Sequence, residues 1–273
     1  GRHRSDQRLM IPEELAVIAH TGGTTGVPKG VRISNRSLVC VAEEYLRSGM
    51  PMGRGEKFLC LVPPFILNGL CTCLNLPLSA GAAVILVPRF EQAQFPHYLK
   101  ARPEHVVAAP SWWERLRCDE RMAGADLSFL VTAASGGDGM SRESEEKMNA
   151  FLRARGARWP ILNGYGMTET GSSVCTNMQR CGQAGSIGIP LPWVTAGVFD
   201  EAGRELPYDT RGELWVKGPS IMDGYCGRAA GESEHVLRVG PDGDRWVRTG
   251  DLAHISREGF VYIDGRIKRV IIR

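Results

Sequence analysis

The chain has almost no excess of charge: 33 Lys and Arg stand against 30 Asp and Glu, mixed along its length, for a net +3. That excludes the one-signed patches that draw a protein to nucleic acid or to a membrane surface, so no nucleic-acid partner is expected. Eight cysteines are present, but no Cys-x-x-Cys pair, and only Cys71 and Cys73 stand close together. Structural zinc needs clustered Cys or His ligands, so no such centre is predicted. Free, buried thiols in a reducing cytoplasm fit the cysteine usage, and the expected location is cytoplasmic. No apolar run follows Gly1-Arg2-His3-Arg4, hence no signal peptide is predicted. A Gly-x-Ser-x-Gly elbow and a His-Glu-x-x-His pair are both missing, which removes the common serine-hydrolase and metalloprotease constellations.

Long apolar runs need a closer look. Phe58 to Pro88 carries no charged residue, and a spanning helix needs about 20 apolar residues. Pro63-Pro64, Asn68, Asn75, Pro77 and Gly81 interrupt the stretch repeatedly. It divides better into a strand (Phe58–Val62), a core helix (about Leu67–Leu78) and a second strand (Ala82–Val87). No transmembrane segment is expected.

What is present centres on His20-Thr21-Gly22-Gly23-Thr24-Thr25-Gly26-Val27-Pro28-Lys29-Gly30. It follows Leu15 to Ala19, an apolar run that reads as a buried strand. Glycines let backbone N–H groups close on an anion, threonine hydroxyls add donors, and Lys29 adds a mobile positive charge. The pattern is not a Walker A loop, because Pro28 precedes Lys29 where that motif has glycine. Grip on a polyphosphate and a plain Gly/Thr-rich surface turn are both compatible with it.

Strand and helix signals then alternate. A helix near Ser34–Ser48 is capped by Ser34 or Asn35, followed by the charge-free pair of strands. Phe95–Ala101 reads as a short helix, His105–Ala109 as a strand, Ser111–Arg117 as a helix and Phe129–Ala134 as a strand. Ser141 caps a charged helix to Arg155, and Pro160–Leu162 begins another strand. Repeated β-α units predict an α/β fold: a mainly parallel, helix-covered sheet with ligands beyond the strand ends. After about Cys181 come the short β-like runs Thr195–Phe199, Gly212–Lys217, Trp246–Arg248 and Gly259–Ile263, separated by turn residues. The predicted organisation is an α/β subdomain over 1–181 and a smaller β-rich subdomain over 182–265.

Three further stretches carry chemistry. Ala134-Ser135-Gly136-Gly137-Asp138-Gly139 joins a strand to a capped helix. Asn163-Gly164-Tyr165-Gly166-Met167-Thr168-Glu169-Thr170 has Glu169 where a dinucleotide fingerprint needs its third glycine, so a Rossmann reading fails. In that stretch Tyr165 could stack on a purine, Thr168 could bond an α-phosphate oxygen, and Glu169 could hold Mg²⁺. In Thr249-Gly250-Asp251, an ionised carboxylate could accept from both hydroxyls of a ribose.

Taken together, these stretches resemble the adenylate-forming superfamily: acyl- and aryl-CoA synthetases, luciferase and peptide-synthetase adenylation domains. Thr21 to Gly30 is similar to the Thr-Ser-Gly-Thr-Thr-Gly-x-Pro-Lys-Gly loop, with Gly22 in place of serine. Ser135-Gly136-Gly137 resembles the Ser-Gly-Gly-Ala-Pro segment whose backbone lies along adenine, with Asp138 and Gly139 replacing Ala-Pro. Asn163 to Glu169 resembles the Tyr-Gly-x-Thr-Glu motif, and Gly265-Arg266-Ile267-Lys268 the Gly-Arg-x-Lys segment, which assigns Arg266 to ribose or phosphate.

The resemblance implies catalytic roles for Lys29, Thr168 and Glu169, with Glu169 also the metal ligand. It implies nucleotide contacts from Thr21, Gly22, Gly23, Thr24, Thr25, Gly26, Ser135, Gly136, Gly137, Asn163, Gly164, Tyr165, Gly166, Asp251 and Arg266. Phe65 and Ile66 fall where the family often has Phe-His lining its acyl channel, and Met167 is grouped with them; core packing explains Phe65 and Ile66 equally well. Met167 stands where peptide-synthetase domains commonly carry proline, which leans toward CoA ligases. The implied activity is ATP-dependent conversion of a carboxylic acid to an acyl-adenylate, then thioester formation, with ATP/AMP, Mg²⁺ and coenzyme A as cofactors. A carrier-protein thiol is the alternative acceptor. A nucleotide-binding module without ligase activity is the alternative from another class. Arg269 stands at the usual hinge aspartate, and residues 266–273 read as a hinge to a lid domain that is not part of this sequence. The family's N-terminal portion is likewise not found before His20.

Overall fold

The computed structural model describes residues 11–22 and 28–267. Gly23, Thr24, Thr25 and Gly26 of the predicted phosphate loop therefore lie outside the described residues, as do Lys268 and Arg269 of the predicted hinge.

A seven-stranded sheet forms the centre. Its strands run in the order Ala83–Leu86, Lys57–Cys60, His105–Ala108, Thr132–Ser135, Leu162–Met167, Ser172–Thr176 and Ile189–Pro190. The first five are mutually parallel and the last two antiparallel. His105–Ala108 is buried at every position, as expected of a strand covered on both faces. Alternation sends Leu59 and Val106 into a core with Trp113, Met148, Phe151 and Leu152 from the covering helices Pro110–Arg117 and Arg142–Ala154. Phe58, Cys60 and Val107 face the other way, onto Cys73. The helix-covered, mainly parallel sheet is the class read from the sequence.

The charge-free stretch resolves as expected into strand, helical segment and strand, and no helix among the described residues is long and apolar enough to cross a membrane. Its helical part spans Leu67–Ser79 with a π-helical turn at Cys71–Asn75, closed by the Leu76 N–H bonding back to the Cys71 carbonyl. Pro77 follows at once. Proline cannot donate an i→i−4 bond, and the wider turn accommodates that break. All eight cysteines are free; four are buried, while Cys118 and Cys181 are exposed.

Three expectations need correction. Leu15–His20 is not a buried strand of the parallel sheet: only Ala19 in it is buried, and Leu15 and Ile18 are exposed. It pairs antiparallel with Gly30–Ser34, which pairs on its other side with Gly224–Tyr225. Parallel pairing needs a crossover of about a dozen residues or more, and residues 21–29 are too few to supply one. The phosphate-type segment thus connects two antiparallel strands, Leu15–His20 and Gly30–Ser34. Asn163 to Met167 is likewise not a loop after a strand but the strand itself, which turns at Thr168–Thr170 and returns antiparallel as Ser172–Thr176. Finally, the run read as Trp246–Arg248 is part of one long strand, Arg245–Ile255, and Thr249-Gly250-Asp251 lies inside it.

That long strand is central in the second, five-stranded antiparallel sheet. It pairs with Gly212–Lys217, Leu237–Val239 and Val261–Arg266, and Thr195–Phe199 adds to the edge. Strand pairing is not confined to either side of residue 181. Ile189–Pro190 joins the central sheet and Gly224–Tyr225 joins the hairpin. An apolar cluster including Val31, Ile33, Val41, Met222, Tyr225 and Val247 packs the hairpin, the helix Asn35–Arg47 and the second sheet together. Ser34 caps that helix through the Ser37 N–H.

Candidate active site

Four segments meet around the strand Leu162–Met167. At its start, Asn163 is the register partner of Ser135 on the neighbouring parallel strand. Both side chains are buried, at 6% and 4% exposure, yet Asn163 Oδ1 and Ser135 Oγ have no hydrogen-bond partner. Buried polar atoms are nearly always paired, so two orphans side by side at strand ends mark a place where a ligand's donors fit. Asn163 Nδ2 is fixed by donating to Glu145 Oε2 at 2.8 Å, and the Gly185 N–H donates to the same oxygen at 2.9 Å. Burial holds the Glu145 carboxyl above the usual range, while those two bonds pull it back. Beside Ser135, Gly136 leaves ordinary contact distance to the Gly164 carbonyl, and Asp138 accepts from the Gly139 N–H at 2.8 Å. The Asp-Gly pair that replaces Ala-Pro thus makes its own turn.

Two positions on, the Tyr165 hydroxyl donates to Asp251 Oδ2 at 2.5 Å. Burial and the neighbouring carboxylate hold that phenol well above its ordinary pKa, so it remains a donor. Arg266 is the cross-strand partner of Asp251 and reaches Oδ1 at 3.4 Å. The Thr249 hydroxyl accepts from the Asp251 N–H at 3.1 Å, and Glu213 accepts from the Gly250 N–H at 3.2 Å. Glu213 Oε2 also takes Arg248 Nε at 2.9 Å and Nη2 at 2.5 Å, and Trp215 Nε1 at 3.1 Å. This buried acid fixes the backbone that presents Asp251.

At the end of the strand, Glu169 is 7% exposed and its Oε1 accepts from the Tyr225 hydroxyl at 2.6 Å. Its carbonyl takes the Met222 N–H at 3.0 Å. Thr168 begins the same turn, while Met167 packs against the cluster around Met222 and Tyr225. Lys29 approaches Tyr225 from the other side, with Nζ 5.1 Å from the ring centroid, and pairs with Glu232 at 2.5 Å. Thr21 and Lys29 close the neck of the hairpin tip: the Thr21 N–H donates to the Lys29 carbonyl at 3.0 Å, and Thr21 Oγ1 accepts from the Lys29 N–H at 3.1 Å. Gly22 is exposed at the tip.

The structure therefore brings together Ser135 with Asn163, Tyr165 with Asp251 and Arg266, and Lys29 with Glu169 through Tyr225. The glycines differ in what they serve. A Cβ on Gly166 would lie 1.7 Å from the Ser172 carbonyl oxygen, so glycine there is demanded by the returning strand rather than by a ligand. Phe65 and Ile66 do not join the core: Phe65 is 83% exposed and Ile66 also faces outward, at the head of the Leu67–Ser79 segment. A cavity of about 440 Å³ lies elsewhere, lined by residues such as Ser37, Trp193, Lys217 and Arg245, and none of the predicted site residues borders it.

Comparison with known proteins decides the family. The family model described as AMP-binding enzyme matches residues 3–226. The chain belongs to the AMP-binding enzyme family. Among relatives, a long-chain-fatty-acid–CoA ligase of Bacillus subtilis is 33% identical over 99% of this chain and 48% of its own length. An indoleacetate–CoA ligase of Aromatoleum aromaticum is 31% identical over 96% of this chain and 49% of its own. ATP-bound MatB of Rhodopseudomonas palustris superposes with a TM-score of 0.82 at 28% identity, covering 93% of this chain and 48% of that one. The chain spans about half the length of the relatives it matches.

Sequence reasoning missed four residues of this candidate site: Glu145, Glu213, Tyr225 and Glu232. Each acts across the fold, Tyr225 on Glu169 at a separation of 56 residues and Glu232 on Lys29 at 203. No local spacing signals such a pairing.

Proposed function

We propose that the chain is the nucleotide-binding part of an enzyme that activates a carboxylic acid as its acyl-adenylate. The substrate carboxylate attacks the α-phosphorus of ATP, the bond from that phosphorus to the bridging oxygen breaks, and pyrophosphate leaves. Such a reaction asks the protein mainly to position and to neutralise charge. The observation that carries the reading is the pair of orphaned buried atoms, Asn163 Oδ1 and Ser135 Oγ, with Asn163 two residues along its strand from Tyr165, which with Arg266 tethers both oxygens of the Asp251 carboxylate. The first pair suits the edge of a base and the carboxylate suits the hydroxyls of a ribose. Lys29 and the Thr21 neck would take the β- and γ-phosphates, and Thr168 the α-phosphate.

Magnesium is tested by the donor set. Among the described residues no group of three or more His, Cys, Asp or Glu could hold a metal ion. Magnesium on a nucleotide needs only one or two protein carboxylates, with phosphate and water filling the rest. Glu169, a buried carboxylate at the strand end, fits that role, and the ion would neutralise phosphate charge there.

CoA-ligase relatives favour coenzyme A as the final acyl acceptor over a carrier-protein thiol, and the acid itself is left open between fatty and aryl classes. Phe65, Ile66 and Met167 remain the proposed acyl-side residues. The test is ATP–pyrophosphate exchange by this chain, and by a longer polypeptide containing it, against a panel of aliphatic and aryl acids. Acid-dependent exchange is expected from the longer form at least. Nucleotide binding with no exchange by either would replace this reading with a non-catalytic nucleotide-binding module.

A further inference from the structure

One short segment from late in the chain holds two of the proposed catalytic side chains at once. Gly224–Tyr225 pairs with Gly30–Ser34, and the Cys226 N–H donates to the Gly30 carbonyl at 2.8 Å, so the segment lies against the base of the hairpin tip. Tyr225 donates to Glu169. The helical turn Gly227–Glu232 follows, and its last residue delivers a carboxylate to Lys29 Nζ at 2.5 Å. The turn is anchored rather than adrift: the Tyr225 N–H donates to Ser233 Oγ at 2.8 Å, and Val236 is buried in the apolar cluster beside the hairpin.

An ammonium that is to grip a phosphate oxygen already has an anion on it. We infer that Glu232 is an internal competitor for ATP: its carboxylate occupies, on Lys29, the place the terminal phosphates of the nucleotide must take. The inference rests on the reading of Lys29 as a phosphate-binding residue. Binding of ATP then exchanges one ion pair for another. AMP, with no phosphate beyond the α, leaves the Lys29–Glu232 pair alone. Glu232 thereby biases the site against ATP relative to AMP without touching either reactant's chemistry. Both partners are part-exposed, Lys29 at 27% and Glu232 at 50% of the side chain, so water screens the pair and the competition is a modest one. A buried pair would have blocked the site; an exposed one tunes it.

The test is a calorimetric titration of wild-type chain, Glu232→Gln and Lys29→Met with Mg·ATP and, separately, with AMP, without any acid present. Glu232→Gln keeps the shape and removes the charge. It is expected to tighten ATP two- to fivefold, the range open to an exposed ion pair, and to leave AMP unchanged. Glu232→Ala should reproduce that split, which excludes an effect of the new amide. Unchanged ATP affinity in both variants overturns the inference. So does weaker ATP binding, which would make Glu232 a support for Lys29, and so does an equal shift for ATP and AMP, which would make it a general packing effect. Lys29→Met separates the two levels. It should weaken ATP more than AMP in the wild-type background, and it should abolish the gain from Glu232→Gln in the double variant. If Lys29→Met leaves ATP affinity unchanged, the reading of Lys29 itself has failed and the competition falls with it.

Discussion

Glu44 gives the sharpest test of the packing described here. It lies on the helix Asn35–Arg47, is 0% exposed, and neither carboxylate oxygen has a hydrogen-bond partner. A buried carboxylate without partners is stable only as the neutral acid, and burial pushes its pKa from 4.5 to about 8. The folded state therefore holds a proton that the unfolded chain has given up above pH 4.5. Stability is full below that pH and is lost as pH rises toward 8. At about 1.36 kcal/mol per pH unit, the loss is roughly 2 to 3 kcal/mol between pH 5 and 7 and about 4 kcal/mol by pH 9. Glu44→Gln keeps the size and removes the titration. Urea denaturation of both proteins at pH 5, 7 and 9 should give similar midpoints at pH 5 and a variant increasingly more stable above it. The difference between the two proteins cancels the other groups that titrate in this range, such as Glu145 and His105. Curves that stay parallel across the three pH values would show that Glu44 ionises in the folded state at no cost, and the buried, unpartnered placement would be wrong.

Four other substitutions probe the site. Asp251→Ala removes charge-assisted bonds to a ribose and should weaken AMP binding by roughly 1.5–3 kcal/mol in calorimetry, whereas Tyr165→Phe, which removes only the donor to Asp251, should cost less; equal losses would locate the effect in the tyrosine. Glu213→Ala leaves Arg248, Trp215 and the Gly250 N–H without their acceptor and should lower unfolding free energy by about 2–3 kcal/mol; a thermal melt within a degree of wild type would count against that network. Gly166→Ala drives a methyl into the Ser172 carbonyl and should cost more than about 3 kcal/mol or prevent folding, and a mild effect would show that the two strands separate more easily than drawn.

Most of the parallel sheet was legible because its strands are continuous apolar runs bounded by helix caps, and caps are local. Ser34 and Ser141 cap their helices through the third residue on. The short β-like runs after residue 181 were also visible from turn residues. What escaped notice depends on pairing between distant segments. Leu15–Ala19 has the composition of a buried strand, but the shortness of residues 21–29 sends it into a hairpin whose outer strand stays exposed. The Asn163–Thr170 motif looked like a loop because of its glycines, yet Gly166 exists to admit the Ser172 backbone of the returning strand. Glu213, Tyr225 and Glu232 carry no signature of their own. Each is visible only in the folded chain, where Glu213 meets Arg248 across the second sheet and Gly224–Tyr225 with the turn after it pairs onto the hairpin.

The central claim is that Lys29, Glu169 and Asp251 serve one nucleotide. A crystal structure of the chain soaked with Mg·ATP tests it directly. The base is expected beside Ser135 and Asn163, the ribose on Asp251, and the phosphates running from Thr168 toward Lys29, with Glu232 displaced. A nucleotide seated instead in the cavity beside Trp193 and Lys217, with Lys29 still paired to Glu232, would contradict it.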